Sequence, residues 1–192
     1  MRQSQLSDDV TRDEIHHRQL SIRGYRRSDG LFEVEGHVTD LKSHDFQTFR
    51  GGRYVHANTP IHDMVVVLVF DLDMVVQSVR TSMNAHPYQL CAGGGDSLQA
   101  LVGLRIGAGW NSEVRKRLPV CDTCTHMREL LGPMATTAFQ TMAETRRHSP
   151  DALDASGKPT KIDSCYAYAA SRELVQRHWP DHYQPADAAK RD

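Results

Sequence analysis

The sequence predicts an α+β fold, in which an antiparallel sheet of about five strands in the N-terminal part is covered by three helices in the C-terminal part. Two observations predict it. From residue 19 to about residue 106, apolar residues either alternate with polar ones or form short β-branched runs. After Trp110 the apolar spacing becomes that of helices. The 192 residues are enough for one domain with a substantial core.

The first two strands are predicted to form a hairpin. In LFEVEGHVTDL, Phe32, Val34 and Val38 fall on one face and the polar residues between them on the other, while Gly36 interrupts the apolar row. The turn-forming residues Ser-Asp-Gly at 28–30 precede this strand, and QLSIRGYRR before them has strand character.

Three further strands follow in the prediction. Residues 65–70 are an unbroken apolar run rich in β-branched side chains, which is typical of a strand buried on both faces. After a tight connection, MVVQSVRTSM at 74–83 is its predicted hairpin partner. Three glycines at 93–95 are interpreted as a flexible turn, and alternation in SLQALVGLRIG at 97–107 predicts one more strand.

The remaining elements are predicted helices. GWNSEVRKRL forms a short helix capped by Asn111 or Ser112. A last helix begins at Asp163 or Ser164 and ends before Pro180. Between them lies a longer helix that Pro133 is expected to kink or divide. Its apolar stripe is Met127, Leu130, Leu131, Met134, Ala135, Ala138, Phe139 and Met142.

These elements make one expected domain, residues 15–183, with an exposed linker near 146–162. Residues 1–14 are interpreted as a mobile arm and residues 184–192 as a tail.

Composition excludes several classes of function. The net charge is −1 and the basic residues are dispersed, so nucleic acid is not an expected partner. There is neither an apolar run of about twenty residues nor a signal-peptide pattern, so we expect a soluble, cytoplasmic protein that binds no membrane. The four cysteines are interpreted as free thiols or metal ligands.

The densest group of soft ligands is Cys121, Cys124 and His126, which Cys91 and Cys165 could join. A single C-x-x-C pair is half of a structural zinc signature. Alternatively, Cys124 at the start of a helix could be a reactive thiol, because the helix dipole favours the thiolate. A third interpretation is that these cysteines pack as small hydrophobic residues.

A second group of residues crowds charge onto the predicted hairpin: Arg23, Tyr25, Arg26, Arg27, Asp29, Glu33, Glu35, His37 and Asp40. If this face points into a cavity, it supplies acid–base groups and an arginine for an anionic substrate. If it points to water, it is an ordinary solvated strand face. A third group, His62-Asp63, is either an oriented base or a loop hydrogen bond.

Several landmarks in order resemble a bacterial family known as domain of unknown function 2889. They are RGYRRSDGLFEVEGHVTDLK, PIHDM, PY-x-x-C, LVGLRIGAGW, CTHMRELLGPMATTAFQ and IDSCYA, and they span about residues 15–180. The resemblance implies a small-molecule enzyme of aromatic catabolism, and specifically a lyase that acts on a lignin-derived type of compound by acid–base chemistry without a cofactor.

For such a reaction, the charged hairpin and the His62-Asp63 pair supply the expected catalytic residues, which are Glu33, His62 and Asp63. The expected substrate-binding residues are Tyr25, Arg26, Arg27, Asp29, Trp110 and His126. The expected partner is a small aromatic substrate, and a homo-oligomer is left open.

Two alternatives to the lyase are kept. One is a zinc or iron–sulfur domain that serves as a scaffold or carrier, with Cys91, Cys121, Cys124, His126 and Cys165 as its candidate ligands. The other is a protein that binds an aromatic ligand without catalysis.

Overall fold

The computed structural model describes residues 10–146 and 149–185. The chain forms two compact units, Met1–Glu144 and Thr145–Asp192, where the sequence predicts one domain. The second unit has its own small apolar cluster of Ile162, Ala170 and Val175, which explains the division. Most of the predicted arm and tail lies outside the described residues, and residues 10–16 have no regular secondary structure.

The first unit contains two antiparallel sheets. The larger has the order β1-β2-β5-β6 and the smaller pairs β3 with β4. The strands are β1 (His17–Arg26), β2 (Phe32–Leu41), β3 (Phe46–Gln47), β4 (Tyr54–Val55), β5 (Pro60–Phe70) and β6 (Val76–Ala85). The α+β class and the first hairpin are confirmed, and the sheet has four long strands where about five were expected.

The α-helices are α1 (Trp110–Arg117), α2 (Thr125–Thr141) and α3 (Glu173–His178). A long 3-10 helix covers Gln89–Leu101, and short ones cover Phe49–Gly51, Tyr166–Tyr168 and Pro180–His182. Helix α2 continues through Pro133 and buries the predicted stripe except Phe139, which is 43% exposed. No helix of the described residues is long and apolar enough to cross a membrane.

The predicted strand at 97–107 is wrong. Its first residues belong to the 3-10 helix Gln89–Leu101, and Val102 and Gly103 are exposed. Gly95, Leu98, Leu101 and Leu104 are buried at a spacing of three, which matches the three residues per turn of a 3-10 helix. Ile106 is buried as well, beside Arg105, which forms an isolated antiparallel bridge with Val75. The apolar residues of this segment were therefore read as a strand pattern with a period of two, although most of them follow the period of three of a 3-10 helix.

The predicted last helix is also too long. The structure has only α3 and two 3-10 turns in this part of the chain. Asp163 has a positive φ of 64°, a conformation that does not start a helix. Pro180 opens a further 3-10 turn at its first position, where its missing N–H costs nothing.

Gly36 is needed for packing between the sheet and α2. It lies on the buried face of β2, where a Cβ atom would come 2.7 Å from Met134 Sδ and 2.9 Å from Met134 Cγ. The break in the apolar row of β2 is thus a place where a side chain of α2 packs directly against the strand backbone.

Candidate functional site

The register of β2 and β5 places Asp40 directly opposite His62. Alternate residues of a strand point to the same face of the sheet, so Asp40 lies on the buried face with Val38, and His62 lies on it with Met64. A β-bulge follows between Asp40 and Leu41. Bulges re-aim side chains and are frequent beside active sites. A carboxylate and an imidazole thus meet at the end of the sheet's helix-covered face.

The Asp40 side chain is only 1% exposed and is fully hydrogen-bonded. Arg18 of β1 donates from Nε to Oδ1 at 2.8 Å and from Nη2 to Oδ2 at 2.9 Å. His16 Nε2 lies 3.0 Å from Oδ1. Burial alone would raise the pKa of Asp40, but the hydrogen bonds and the charge of Arg18 lower it to about 2. The carboxylate is therefore ionised at neutral pH.

His62 binds the other side of this carboxylate. Its Nδ1 is 3.0 Å from Asp40 Oδ2, so the Nδ1–H donates and Nε2 carries the lone pair. Burial, and then the charge that His126 would carry if protonated, lower the pKa of His62 to about 4 against the opposing effect of Asp40. Within the described residues no group hydrogen-bonds to Nε2.

His126 stacks on His62 with ring centroids 3.8 Å apart and an angle of 31° between the planes. It lies in the first turn of α2, and its Nε2 is 4.0 Å from Asp40 Oδ2. Burial and then the charge of Arg18 lower the pKa of His126. Both imidazoles are consequently neutral at pH 7.

The two histidines line a cavity of about 730 Å³, within the usual range for small-molecule sites. Its walls come from the β3–β4 segment, the start of β5, the 3-10 helix Gln89–Leu101 and the start of α2. The apolar lining includes Phe46, Phe49, Ile61, Met64, Pro87, Tyr88 and Leu90. The cavity is therefore largely apolar, with the histidine pair as a polar feature.

Of the predicted catalytic residues, only His62 lines this cavity. Glu33 and Asp63 have the opposite parity and lie on the other face of the sheet. Glu33 accepts hydrogen bonds from Arg27 at 2.8 Å and Arg80 at 3.1 Å. Asp63 pairs with His37 at 2.8 Å. The structure therefore does not bring the three predicted residues together.

Of the predicted substrate-binding residues, His126 lines the cavity and five do not. Tyr25 and Arg26 are exposed on β1, and Arg27 pairs with Asp29 at the hairpin turn. Trp110 is 4% exposed in the core, where its Nε1 donates to the carbonyl of Leu131. Of the two arginines that were expected to hold a substrate, Arg27 pairs with Asp29 and Glu33 of the hairpin, and Arg26 lies 3.9 Å from Glu144.

Three of the predicted metal ligands besides His126 line the cavity: Cys91, Cys121 and Cys124. Cys165 belongs to the second unit. Among the described residues, the His, Cys, Asp and Glu cluster whose ligand atoms all lie within 4.8 Å of one another is Asp40, His62 and His126. The cysteines share a cavity wall without forming such a cluster.

The Asp40, His62 and His126 cluster is better suited to proton transfer than to holding a cation. Both Asp40 oxygens already bind the Arg18 guanidinium, whose charge repels a cation. Imidazole lone pairs lie in the ring plane, so two stacked rings direct them side by side instead of toward one point.

Sequence reasoning missed the role of Asp40 and its partners Arg18 and His16. One signal was available, because Asp40 continues the buried parity of Phe32 and Val38 along β2. A carboxylate in that row needs a buried partner. Nothing in the spacing pointed to Arg18, which reaches Asp40 across the strand pair and also binds Glu129 at 2.6 Å.

A family model described as "Protein of unknown function (DUF2889)" matches residues 16–140. The chain belongs to the DUF2889 family. The DUF2889 match includes Arg18, Asp40, His62 and His126, so the whole site lies within the family region. The description of the DUF2889 family assigns no reaction. Neither a search of curated proteins nor a search of solved structures found a match to the chain.

Proposed function

We propose that the protein is a lyase that acts on an aromatic substrate, of the lignin-derived type, by acid–base chemistry without a cofactor. His62 is the general base and Asp40 its positioning residue. The observation that carries the proposal is the 3.0 Å contact between His62 Nδ1 and the buried Asp40 carboxylate, on a ring that lines the cavity. This contact selects the tautomer with a free lone pair on Nε2.

The proposed reaction uses this lone pair. His62 Nε2 takes a proton from a carbon or hydroxyl of the substrate, and the electron pair left behind forms a carbon–carbon or carbon–oxygen double bond. A single bond at the neighbouring carbon breaks, and its electron pair leaves with the departing group, which is then protonated. The imidazolium is stabilised by the Asp40 carboxylate, which Arg18 keeps ionised. His62 then returns the proton to the product or to solvent. Because the pKa of His62 is about 4, the base is unprotonated at neutral pH.

The walls of the cavity support the choice of an aromatic substrate. Phe46, Phe49 and Tyr88 supply ring surfaces, and Met64 and Ile61 supply aliphatic surface. The volume of about 730 Å³ leaves room for a molecule larger than a single ring. The choice of a lignin-derived type of substrate comes from the family resemblance noted in the sequence.

Mass spectrometry after incubation with a panel of phenolic dimers tests the proposal. We expect the wild-type chain to form a product and His62→Gln to lose at least about a hundredfold in rate, since general-base catalysis typically contributes that much or more. The matched control is His37→Gln. His37 also binds an aspartate, at 2.8 Å, but on the opposite face of the sheet, so this variant keeps its activity.

Two results would contradict the proposal. If His62→Gln retains the wild-type rate, His62 is not the base. If calorimetry shows saturable binding of a phenolic dimer that is never converted, the protein is an aromatic-ligand binding protein, which the same apolar walls would also suit.

A further inference from the structure

We propose that Cys124, Met64 and His126 form a binding site for one Cu(I) ion on the wall of the cavity. The three residues come from two elements that meet there, the start of β5 and the N-terminus of α2. Their donor atoms are a thiol sulfur, a thioether sulfur and an imidazole nitrogen. No step of the proposed lyase reaction uses this ion, although Met64 also belongs to the wall proposed to hold the substrate and His126 stacks on His62.

The distances between the donor atoms allow them to bind one shared metal ion. Cys124 Sγ is 3.6 Å from Met64 Sδ and 3.9 Å from His126 Nδ1. With metal–sulfur bonds of about 2.3 Å and a metal–nitrogen bond of about 2.0 Å, these separations correspond to angles of about 100° and about 130° at the metal. Such angles are those of three-coordinate or four-coordinate sites.

The donor set selects a soft ion. Thiolate and thioether ligands favour Cu(I), whereas carboxylate and carbonyl oxygens favour Mg²⁺, Ca²⁺ and Mn²⁺. A thioether contributes little to a zinc site, whose usual ligands are thiolate, imidazole and carboxylate. When Cu(I) binds, the Cys124 thiol loses its proton to solvent and a sulfur–copper bond forms, with no change of oxidation state.

The surrounding structure holds each donor in place. Met64 is 1% exposed on the buried face of β5. The Cys124 N–H donates to the carbonyl of Gly94 at 2.8 Å, and a Cβ on Gly94 would lie 3.1 Å from Cys124 Cβ. Packing thereby fixes Met64, and a backbone hydrogen bond together with close packing fixes Cys124.

His126 presents its two nitrogens to different partners. Nδ1 faces Cys124, and Nε2 faces the Asp40 carboxylate at 4.0 Å. Metal-binding histidines commonly direct their second nitrogen toward a carboxylate, which orients the ring and increases its basicity as a ligand. Because all three residues line the cavity, the ion has a route to the site.

The test is an oxygen-free titration of the reduced 192-residue chain with Cu(I) in the presence of a coloured Cu(I) chelator. We expect one equivalent to bind. Met64→Leu keeps the volume of the side chain and removes only the thioether, and we expect it to weaken Cu(I) binding by about tenfold or more. His126→Gln and Cys124→Ala should do the same.

Matched controls distinguish this site from copper binding by other cysteines or methionines of the chain. Met142→Leu changes a buried methionine at the far end of α2 and should leave the affinity unchanged. Cys91→Ser and Cys121→Ser should also leave it unchanged. Thermal unfolding of each variant shows whether an altered affinity reflects loss of the fold.

X-ray absorption at the copper edge gives the second measurement. Two sulfurs and one nitrogen per copper are expected. Coordination by sulfur alone, or an unchanged affinity in Met64→Leu together with a loss in Cys121→Ser, would overturn the proposal in favour of a chelate by Cys121 and Cys124. Failure to bind Cu(I) in a folded chain would overturn it outright.

Discussion

The Asp40 carboxylate is a buried charge whose cost is offset by its partners. Two hydrogen bonds from Arg18 and contacts with His16 and His62 occupy both of its oxygens. A buried ion is tolerated only with a matched charge and satisfied hydrogen bonds. Because Arg18 supplies the charge, His62 does not need to be protonated to balance Asp40. The arrangement thus leaves a neutral imidazole beside an ionised carboxylate.

The lowered pKa values predict how stability depends on pH. The pKa of His62 is about 4 in the folded chain and 6.5 for a histidine without such interactions, as in the unfolded chain. Between these two pH values the unfolded chain therefore binds more protons than the folded chain. The free energy of unfolding should therefore fall as the pH drops from about 6.5 to about 4, by on the order of 2 to 3 kcal/mol from this group. Below pH 4 the stabilising effect of Asp40, whose pKa is about 2, is lost in turn.

Urea unfolding of the wild-type chain and His62→Gln across pH 4 to 7 measures this effect. The variant should show a shallower slope in that window. Equal slopes in the wild type and His62→Gln would show that burial does not lower the pKa of His62.

At the scale of the elements, parity decides which residues meet. His62 and Asp63 are neighbours in the sequence, but successive strand residues point to opposite faces, so only His62 reaches the cavity. The alternation in β2 was readable from the sequence, and with it the burial of Phe32, Val34 and Val38. The pairing of Asp40 with His62 was not readable from the sequence, because the register of two strands depends on the turns and the bulge between them.

The 3-10 helix Gln89–Leu101 shows a second limit of pattern reading. Its three glycines were interpreted as a flexible turn, but they lie inside the helix, and the buried spacing of three beyond them was mistaken for a strand. The apolar residues at positions 98, 101, 104 and 106 fit in part the period of two of a strand and in part the period of three of a 3-10 helix. A short window does not distinguish them.

Packing of α2 against β2 predicts the effect of a small substitution. In Gly36→Ala the new methyl group would overlap Met134, and we expect a loss of about 1 to 3 kcal/mol in the free energy of unfolding. Gly107→Ala is the matched control, since a Cβ there meets no atom within 4 Å. Its effect should stay within about 0.5 kcal/mol.

Thermal and urea unfolding of both variants measure the difference. If Gly36→Ala is as stable as the wild type, Met134 moves aside without cost, and the close approach of helix and strand is not what requires glycine at this position.

For the whole molecule, the family match and the candidate site both fall in the first unit. This unit holds the four-stranded sheet, α1, α2 and the larger apolar core. The second unit has a much smaller apolar cluster. Sequence reasoning placed an exposed linker near the boundary between the two units and treated the residues on both sides of it as one domain.

We expect a chain of residues 1–144 to fold alone, since its core is contained within it. Circular dichroism should show strand signal and one cooperative thermal transition. The separate second unit, with its small cluster, should show no such transition. A 1–144 chain that lacks cooperative unfolding would mean that the core of the first unit depends on the second.

The central claim is that His62 is a neutral base whose Nδ1–H is held by Asp40 and whose Nε2 is free. Two-dimensional NMR of the imidazole nitrogens, assigned with His62→Gln, observes this directly without a substrate. We predict a neutral ring with the proton on Nδ1 from pH 8 down to about pH 5. A proton on Nε2 of the neutral ring, or an imidazolium at pH 7, would contradict the account.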